Sequence, residues 1–248
     1  MITRSDDYVE YCRESARQAR EPHDLALRGR HKREVTRAIY KRIATEVGLC
    51  AGDDLVEIGC GDGTLLRLAE QIGCRSATGF LATDEEVALL ARHGVQARQG
   101  LSDSLPLPDA CASVVVCNNV LLIVPRDRIE PSLREMVRIA KPGARIYIGE
   151  IPFVETADPL PQFSTRRELL AHLYRQNGFR TWAGMVRRMA WWQITGKPAI
   201  VNAGTAVSFW SPPEEFIAMA TGAGLEYVRH WRHDDPETRN NYLFRKAT

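Results

Sequence analysis

The chain has 248 residues, 44% of them hydrophobic, and a formal net charge of +2, which fits one α/β core with an elaboration rather than two independent domains. No apolar run reaches the roughly 18 residues that span a bilayer, and the opening Met1-Ile2-Thr3-Arg4-Ser5-Asp6-Asp7 lacks the apolar stretch of a signal peptide, so a cytoplasmic protein is expected. The six cysteines (Cys12, Cys50, Cys60, Cys74, Cys111, Cys117) form no Cys-x-x-Cys pair and no metal spacing, which excludes a cysteine metal centre and leaves free thiols.

Two helical stretches, about residues 6 to 20 and 31 to 47, open the chain. Strands then alternate with helices: 54 to 58, 76 to 80, a short one near 95 to 99, 112 to 117 and 145 to 151. Alternation of this kind predicts a mostly parallel, doubly wound sheet with a ligand beyond the carboxyl ends of its strands. Residues 152 to 210 interrupt the pattern. Ser211-Pro212-Pro213-Glu214-Glu215-Phe216 then opens a helix, with Ser211 as cap and proline in the first turn, and Gly222-Ala223-Gly224 closes it. Strands near 225 to 232 and 240 to 246 complete an antiparallel hairpin. The domain reading is an N-terminal helical cap (1–50), a core (51–151 and 211–248) and an inserted helical lid over the substrate (152–210).

Residues 56 to 64, Val-Glu-Ile-Gly-Cys-Gly-Asp-Gly-Thr, carry the most chemistry. A buried strand ends at Ile58. Gly59, Gly61 and Gly63 let the backbone turn sharply and approach a ligand, and a helix starting near Thr64 offers free N–H groups there. The spacing is Gly-x-Gly-x-Gly, not the Gly-x-Gly-x-x-Gly of a dinucleotide site, and no acid ends the next strand.

This turn resembles motif I of the class I S-adenosylmethionine-dependent methyltransferases, of Rossmann-like fold. Later stretches resemble the small-molecule branch of that family in order and spacing: Thr78-Gly79-Phe80-Leu81, Gln99-Gly100-Leu101-Ser102, Leu105-Pro106-Leu107-Pro108-Asp109, Val114 to Leu121, and Leu133-Arg134-Glu135 running to Lys141-Pro142-Gly143. The likeness covers about residues 35 to 151 and resumes weakly from Ser211. It implies S-adenosylmethionine as cofactor, with Glu57 near its methionine end and Gly59, Cys60, Gly61, Gly63, Phe80, Leu81, Leu101, Ser102, Asp103 and Asn118 around it. Cys60 reads as a small residue rather than a nucleophile.

Three familiar carboxylates are missing. Leu81 stands where the family places the ribose acid, Leu101 where an Asp bonds the adenine amino group, and Ala112-Ser113 where a Phe-Asp pair opens the fourth strand. Leucine accepts no hydrogen bond. Thr83 or Asp84 would then reach the ribose, and Ser102 or Asp103 the adenine. A catalytically silent module or a modified cofactor are the competing readings.

The acceptor side is less defined. Asn118 and Asn119 end the fourth strand, and Asn119 and Glu150 are the candidates for the reaction itself. Glu150 serves as base or substrate anchor, with His172 a weaker candidate. His23, His31, His93, His230 and His233 read as surface or packing residues. Between Leu160 and Ile200 six arginines and Lys197 face a single acid, Glu168, with Phe163, Tyr174, Phe179, Trp182, Trp191 and Trp192 interleaved. Such a field attracts an anionic, partly aromatic small molecule. Trp182, Met185, Val186, Met189 and Gln193 share a helical face that also suits packing, a homodimer contact or a membrane surface. Nucleic acid is the remaining rival, and the stretch Asn118-Asn119-Val120-Leu121 lacks a base-modifying signature. The N-terminal helices, with Arg28, Arg30, Arg33 and Arg37, would close the other side of the pocket. The expectation is methyl transfer to an O or N atom of a small acceptor.

Overall fold

A computed structural model describes residues 7–25, 33–153, 209–232 and 239–247, with isolated helical positions between 170 and 190. Helices α1 (Asp7–Gln18) and α2 (Arg33–Glu46) precede β1 (Asp54–Ile58), α3 (Thr64–Ile72), β2 (Ser76–Leu81), α4 (Asp84–Ala91), β3 (Arg98–Gln99) and β4 (Ala112–Asn118). There follow α5 (Ile129–Ile139), β5 (Ala140–Pro152), α6 (Pro213–Gly222), β6 (Leu225–Arg232) and β7 (Arg239–Lys246).

The seven strands form one sheet in the order β3-β2-β1-β4-β5-β7-β6. β1 to β5 run parallel, and β7 pairs antiparallel with both β5 and β6. The fold is therefore a Rossmann-like doubly wound sheet closed by an antiparallel hairpin. Strand order reverses between β1 and β4, which opens a crevice at their carboxyl ends. The central strands are largely apolar, with Val114 to Cys117 wholly buried, because helices cover both faces. On one face Tyr40, Ile43 and Ala44 of α2 pack with Leu65 and Ala69 of α3. On the other, Ile129, Leu133, Met136 and Ile139 of α5 meet Phe216 and Ala220 of α6. Both helical sets follow the three- and four-residue spacing of a core-facing stripe.

Charges pin the amino end of the sheet. Arg75 grips Asp54 through two bonds of 2.9 and 2.6 Å, and Lys141 joins at 2.5 Å. Arg145 and the Ser113 hydroxyl both donate to Asp53, at 2.5 and 2.8 Å. Ser113, one of the positions without its usual acid, thus has a structural partner here.

Local differences from the sequence expectation have physical causes. β3 is only two residues long, and Val95 before it packs with Cys60, Leu66, Leu81 and Leu90. β5 begins at Ala140 rather than 145: the register passes from Ala112–Ala140 to Val114–Arg145, so the Pro142-Gly143 turn is a bulge within the strand. Ser211 does not cap α6. Pro212 occupies the cap position, and the Ser211 hydroxyl donates instead to the Pro212 carbonyl at 3.2 Å.

Candidate functional site

Gly59, Gly61 and Gly63 all adopt positive φ (74°, 53° and 74°), which turns the chain from β1 into α3. A Cβ on Gly59 would stand 2.2 Å from a Val120 methyl. The turn is anchored from behind, since the amides of Gly59 and Cys60 both donate to the Phe80 carbonyl at 2.8 and 3.1 Å.

A cleft open to solvent lies over this turn. Ile58, Gly59 and Gly61 form its floor; Phe80, Leu81, Ala82 and Glu86 line it from β2 and α4. Gly100, Leu101 and Ser102 follow β3, and Asn118, Asn119, Val120 and Ile123 follow β4. Tyr8, Cys12 and Ser15 of α1, Asp24 and Leu25 beyond it and Tyr40 of α2 supply the facing wall. Eight sequence-derived residues meet here: Gly59, Gly61, Phe80, Leu81, Leu101, Ser102, Asn118 and Asn119. Glu57, Cys60, Gly63, Asp103 and Glu150 lie outside the lining.

Two side chains beside the turn lack partners. Both carboxyl oxygens of Glu57 and both amide atoms of Asn118 are buried without a hydrogen-bond partner. Glu57 is 1% exposed, and burial, reinforced by the Asp62 carboxyl, pushes its pKa well above the ordinary carboxylate range. Buried polar groups are normally bonded, so such orphans mark a place completed by a ligand. The Asn118 oxygen sits 2.2 Å from where a Cβ on Gly149 would stand, so only glycine at 149 leaves room for it.

Cys60 is wholly buried against Gly79, and burial raises its thiol pKa strongly, which keeps it inert. The leucines are where the sequence put them, at the cleft ends of β2 and β3. Their expected substitutes are engaged elsewhere. Asp84 is exposed and off the cleft. The Thr83 hydroxyl is taken up in a capping box with Glu86, accepting from the Glu86 amide at 3.3 Å and donating to its carboxyl at 2.9 Å. Ser132 donates to the Arg128 carbonyl at 2.8 Å, so Ser102 donates to Ser132, also at 2.8 Å. Asp103 is ion-paired to Arg128 at 2.5 Å, although its second oxygen is buried and unpartnered. The nearby Tyr8 hydroxyl is likewise unpartnered, its pKa pushed up to about 12 by burial.

Asn119, just beyond β4, and Glu150, near the end of β5, have positive φ, 59° and 67°. Non-glycine residues hold such angles only where their surroundings impose them. Arg239, at the start of β7, ties the two side chains together: one of its nitrogens bonds the Glu150 carboxyl at 2.9 Å and the Asn119 oxygen at 3.3 Å. The Glu150 amide donates to Asn241 at 3.1 Å. Glu150 therefore stands behind the cleft wall in an ion pair, while Asn119 faces the cleft. Sequence reasoning missed Arg239, since 89 residues separate it from Glu150. Glu86 was missed although Thr83-x-x-Glu86 is a legible capping pattern. His23, read as a surface or packing residue, lies half-buried with its Nδ1 3.5 Å from Asp62. His172 lies outside the described residues, as do Met185, Met189 and Gln193.

Residues 56–148 match a family model described as a methyltransferase domain. The stretch from β1 to β5 is therefore similar to a methyltransferase domain. The domain is similar to a malonyl-[acyl-carrier protein] O-methyltransferase of Pectobacterium atrosepticum, with 29% identity over 149 residues, 59% of this chain and 56% of that protein. It is also similar to a probable S-adenosylmethionine-dependent methyltransferase of Mycolicibacterium smegmatis, with 33% identity over 141 residues, 54% and 52% of the two chains. The alignments thus span little more than half the length of these relatives. Among solved structures, an Aquifex aeolicus S-adenosylmethionine-dependent methyltransferase superposes with a TM-score of 0.56 at 14% identity, covering 94% of this chain and 97% of its own, a likeness of fold. Among the described residues no helix is long and apolar enough to cross a membrane.

Proposed function

We propose that the protein transfers a methyl group from S-adenosylmethionine to an oxygen or nitrogen atom of a small, anionic or aromatic-containing acceptor. The observation that carries this reading is the pair of orphaned side chains, Glu57 and Asn118, beside a glycine turn that floors an open cleft. Their chemistry fits the cofactor. An ammonium group donates to the Glu57 carboxyl and draws it into the ionised form, while the Asn118 carboxamide both donates and accepts at the amino-acid end. Apolar contact from Phe80, Leu81 and Leu101 suits the faces of the base, and Ser102 and Tyr8 line the same cleft.

The bound cofactor supplies a methyl group on a sulfonium, transferred by in-line displacement. For this step the chain's task is to orient the acceptor and exclude water. Asn119 presents its side chain at the end of β4, fixed there by Arg239 and Glu150. A neutral acceptor needs a base, and Glu150, held by Arg239, serves better as anchor than as proton acceptor. The arginine-rich segment 152–210 is read as the cover over the acceptor. Tyr174 and Phe179 each lie 5.9 Å, ring to ring, from Trp182 and are exposed, as a surface meeting an aromatic group would be. One relative is named for O-methylation of a malonyl group, itself anionic, which accords with this acceptor class.

Calorimetric titration with S-adenosylmethionine and S-adenosylhomocysteine, with NAD as control, tests the cofactor. Micromolar binding of both sulfur ligands and none of NAD is expected, and failure of both to bind would overturn the reading. Gly61→Val is expected to abolish that binding, because φ of 53° is costly for a β-branched residue and the site borders the cleft.

A further inference from the structure

We infer that Tyr40, on α2, is a binding residue for the carboxylate at the cofactor's amino-acid end, to which it donates its hydroxyl hydrogen. This deepens the cofactor reading above and rests on it. Glu57 suits the ammonium of that end, so the carboxylate beside it must be taken by donors. Among the described residues, no lysine, arginine or histidine lines the cleft. An anionic group bound there is therefore held by neutral donors, of which the orphaned Asn118 carboxamide is one.

Tyr40 is the other. It reaches the cleft from α2 although the residue is only 2% exposed. Its ring belongs to the core layer of Leu55 on β1, Val116 on β4 and Leu65 on α3, so it stands over the two strands that carry Glu57 and Asn118. The hydroxyl has no hydrogen-bond partner among the described residues. It does not bond Glu57, whose two carboxyl oxygens are both unpartnered. A buried tyrosine ordinarily finds a partner for its hydroxyl. Burial, reinforced by the Glu57 and Asp62 carboxyls, keeps its pKa well above 10, so the phenol remains a donor at neutral pH.

The other hydroxyls of the cleft are placed differently. Ser15 donates to the Tyr11 carbonyl at 2.8 Å, and Ser102 is bonded to Ser132 at the same distance. Tyr8 is also unpartnered, but its charged neighbours are Arg128 and Asp103 rather than Glu57 and Asp62. Glu57 and Tyr40 thus divide the amino-acid end between them: the carboxyl takes the ammonium and the phenol takes the carboxylate.

The test is a four-way calorimetric comparison: wild-type protein and Tyr40→Phe, each titrated with S-adenosylhomocysteine and with its decarboxylated counterpart, which keeps the ammonium. Phenylalanine retains the ring and removes only an unbonded hydroxyl, so the core layer is kept, and urea unfolding checks that it is. Wild-type protein is expected to prefer the ligand with the carboxylate by about tenfold or more. Tyr40→Phe is expected to weaken that ligand by roughly ten- to hundred-fold, the range of a hydrogen bond to a charged group. The decarboxylated ligand should stay within about threefold of its wild-type affinity. A tyrosine that acts on Glu57, or that only fills space, would shift both ligands equally. Equal shifts, no shift with either ligand, or wild-type protein that binds both alike overturns the inference and leaves the cofactor reading standing. Absence of any binding to wild-type protein overturns both.

Discussion

Glu57 illustrates how a single buried side chain couples ligand to stability. Its folded pKa lies well above 4.5, so the protonated form is the one the ligand-free fold favours. The stability tied to that proton is present below pH 4.5 and is lost as pH rises through the raised value. Glu57→Gln should therefore become progressively more stable than wild type between pH 4.5 and 8 in denaturant melts without ligand, and should lose cofactor binding. A constant difference across that range would contradict the burial argument. Asn118 gives a second prediction through its neighbour. Gly149→Ala places a methyl where the Asn118 oxygen now sits, so the carboxamide must turn away. S-adenosylhomocysteine affinity should fall at least tenfold in the Gly149→Ala variant, by roughly 1.4 kcal/mol or more. Asn118→Ala should do the same, with no further loss when the two are combined.

At the scale of elements, the ends of β4 and β5 form a unit with the start of β7. Arg239→Ala leaves Glu150 buried without its cation, and thermal or urea unfolding should show a loss of about 3 kcal/mol, the lower end for a broken buried pair because Arg239 keeps some exposure. Arg239→Lys should recover part of this. Sequence made the strand ends visible as candidates through the Asn118-Asn119 pair and through Glu150 closing an apolar run. Their coupling was not legible, because it depends on β7 inserting antiparallel beside β5, a contact between distant segments. The same holds for the surroundings of Asp103 and Asp84, which lie close to the leucines along the chain: Asp103 is ion-paired to Arg128, and Asp84 is exposed. Ser211 failed as a cap for a more local reason, the two prolines that follow it.

For the molecule as a whole, the two ends of the sheet carry different burdens. The parallel alternation of strands, the closing hairpin and the turn at 59–63 were readable from alternation and glycine spacing, which depend on short-range chemistry. The network at the amino end was not, since Asp53 and Asp54 gain partners from Arg75, Lys141 and Arg145 only once the strands align. Asp54 is held far below its usual 3.8 by the Arg75 guanidinium and the Lys141 ammonium. Its contribution is present above pH 3.8 and disappears as pH falls through the depressed value. Asp54→Asn should cost about 1 kcal/mol at pH 7, where Arg75 remains largely solvated. That difference should shrink steadily in acid titrations below pH 3.8, and a persistent gap there would point to packing instead.

The wall that α1 contributes to the cleft has a consequence for the order of assembly. Tyr8, Cys12 and Ser15 leave the ribosome before any strand of the sheet, yet the surfaces they meet at residues 80 to 123 are synthesised about a hundred residues later. Closing so long a loop is slow compared with local helix formation. The wall from α1 is therefore joined to the glycine turn by a long-range contact, while strands β6 and β7 of the sheet are still to be made.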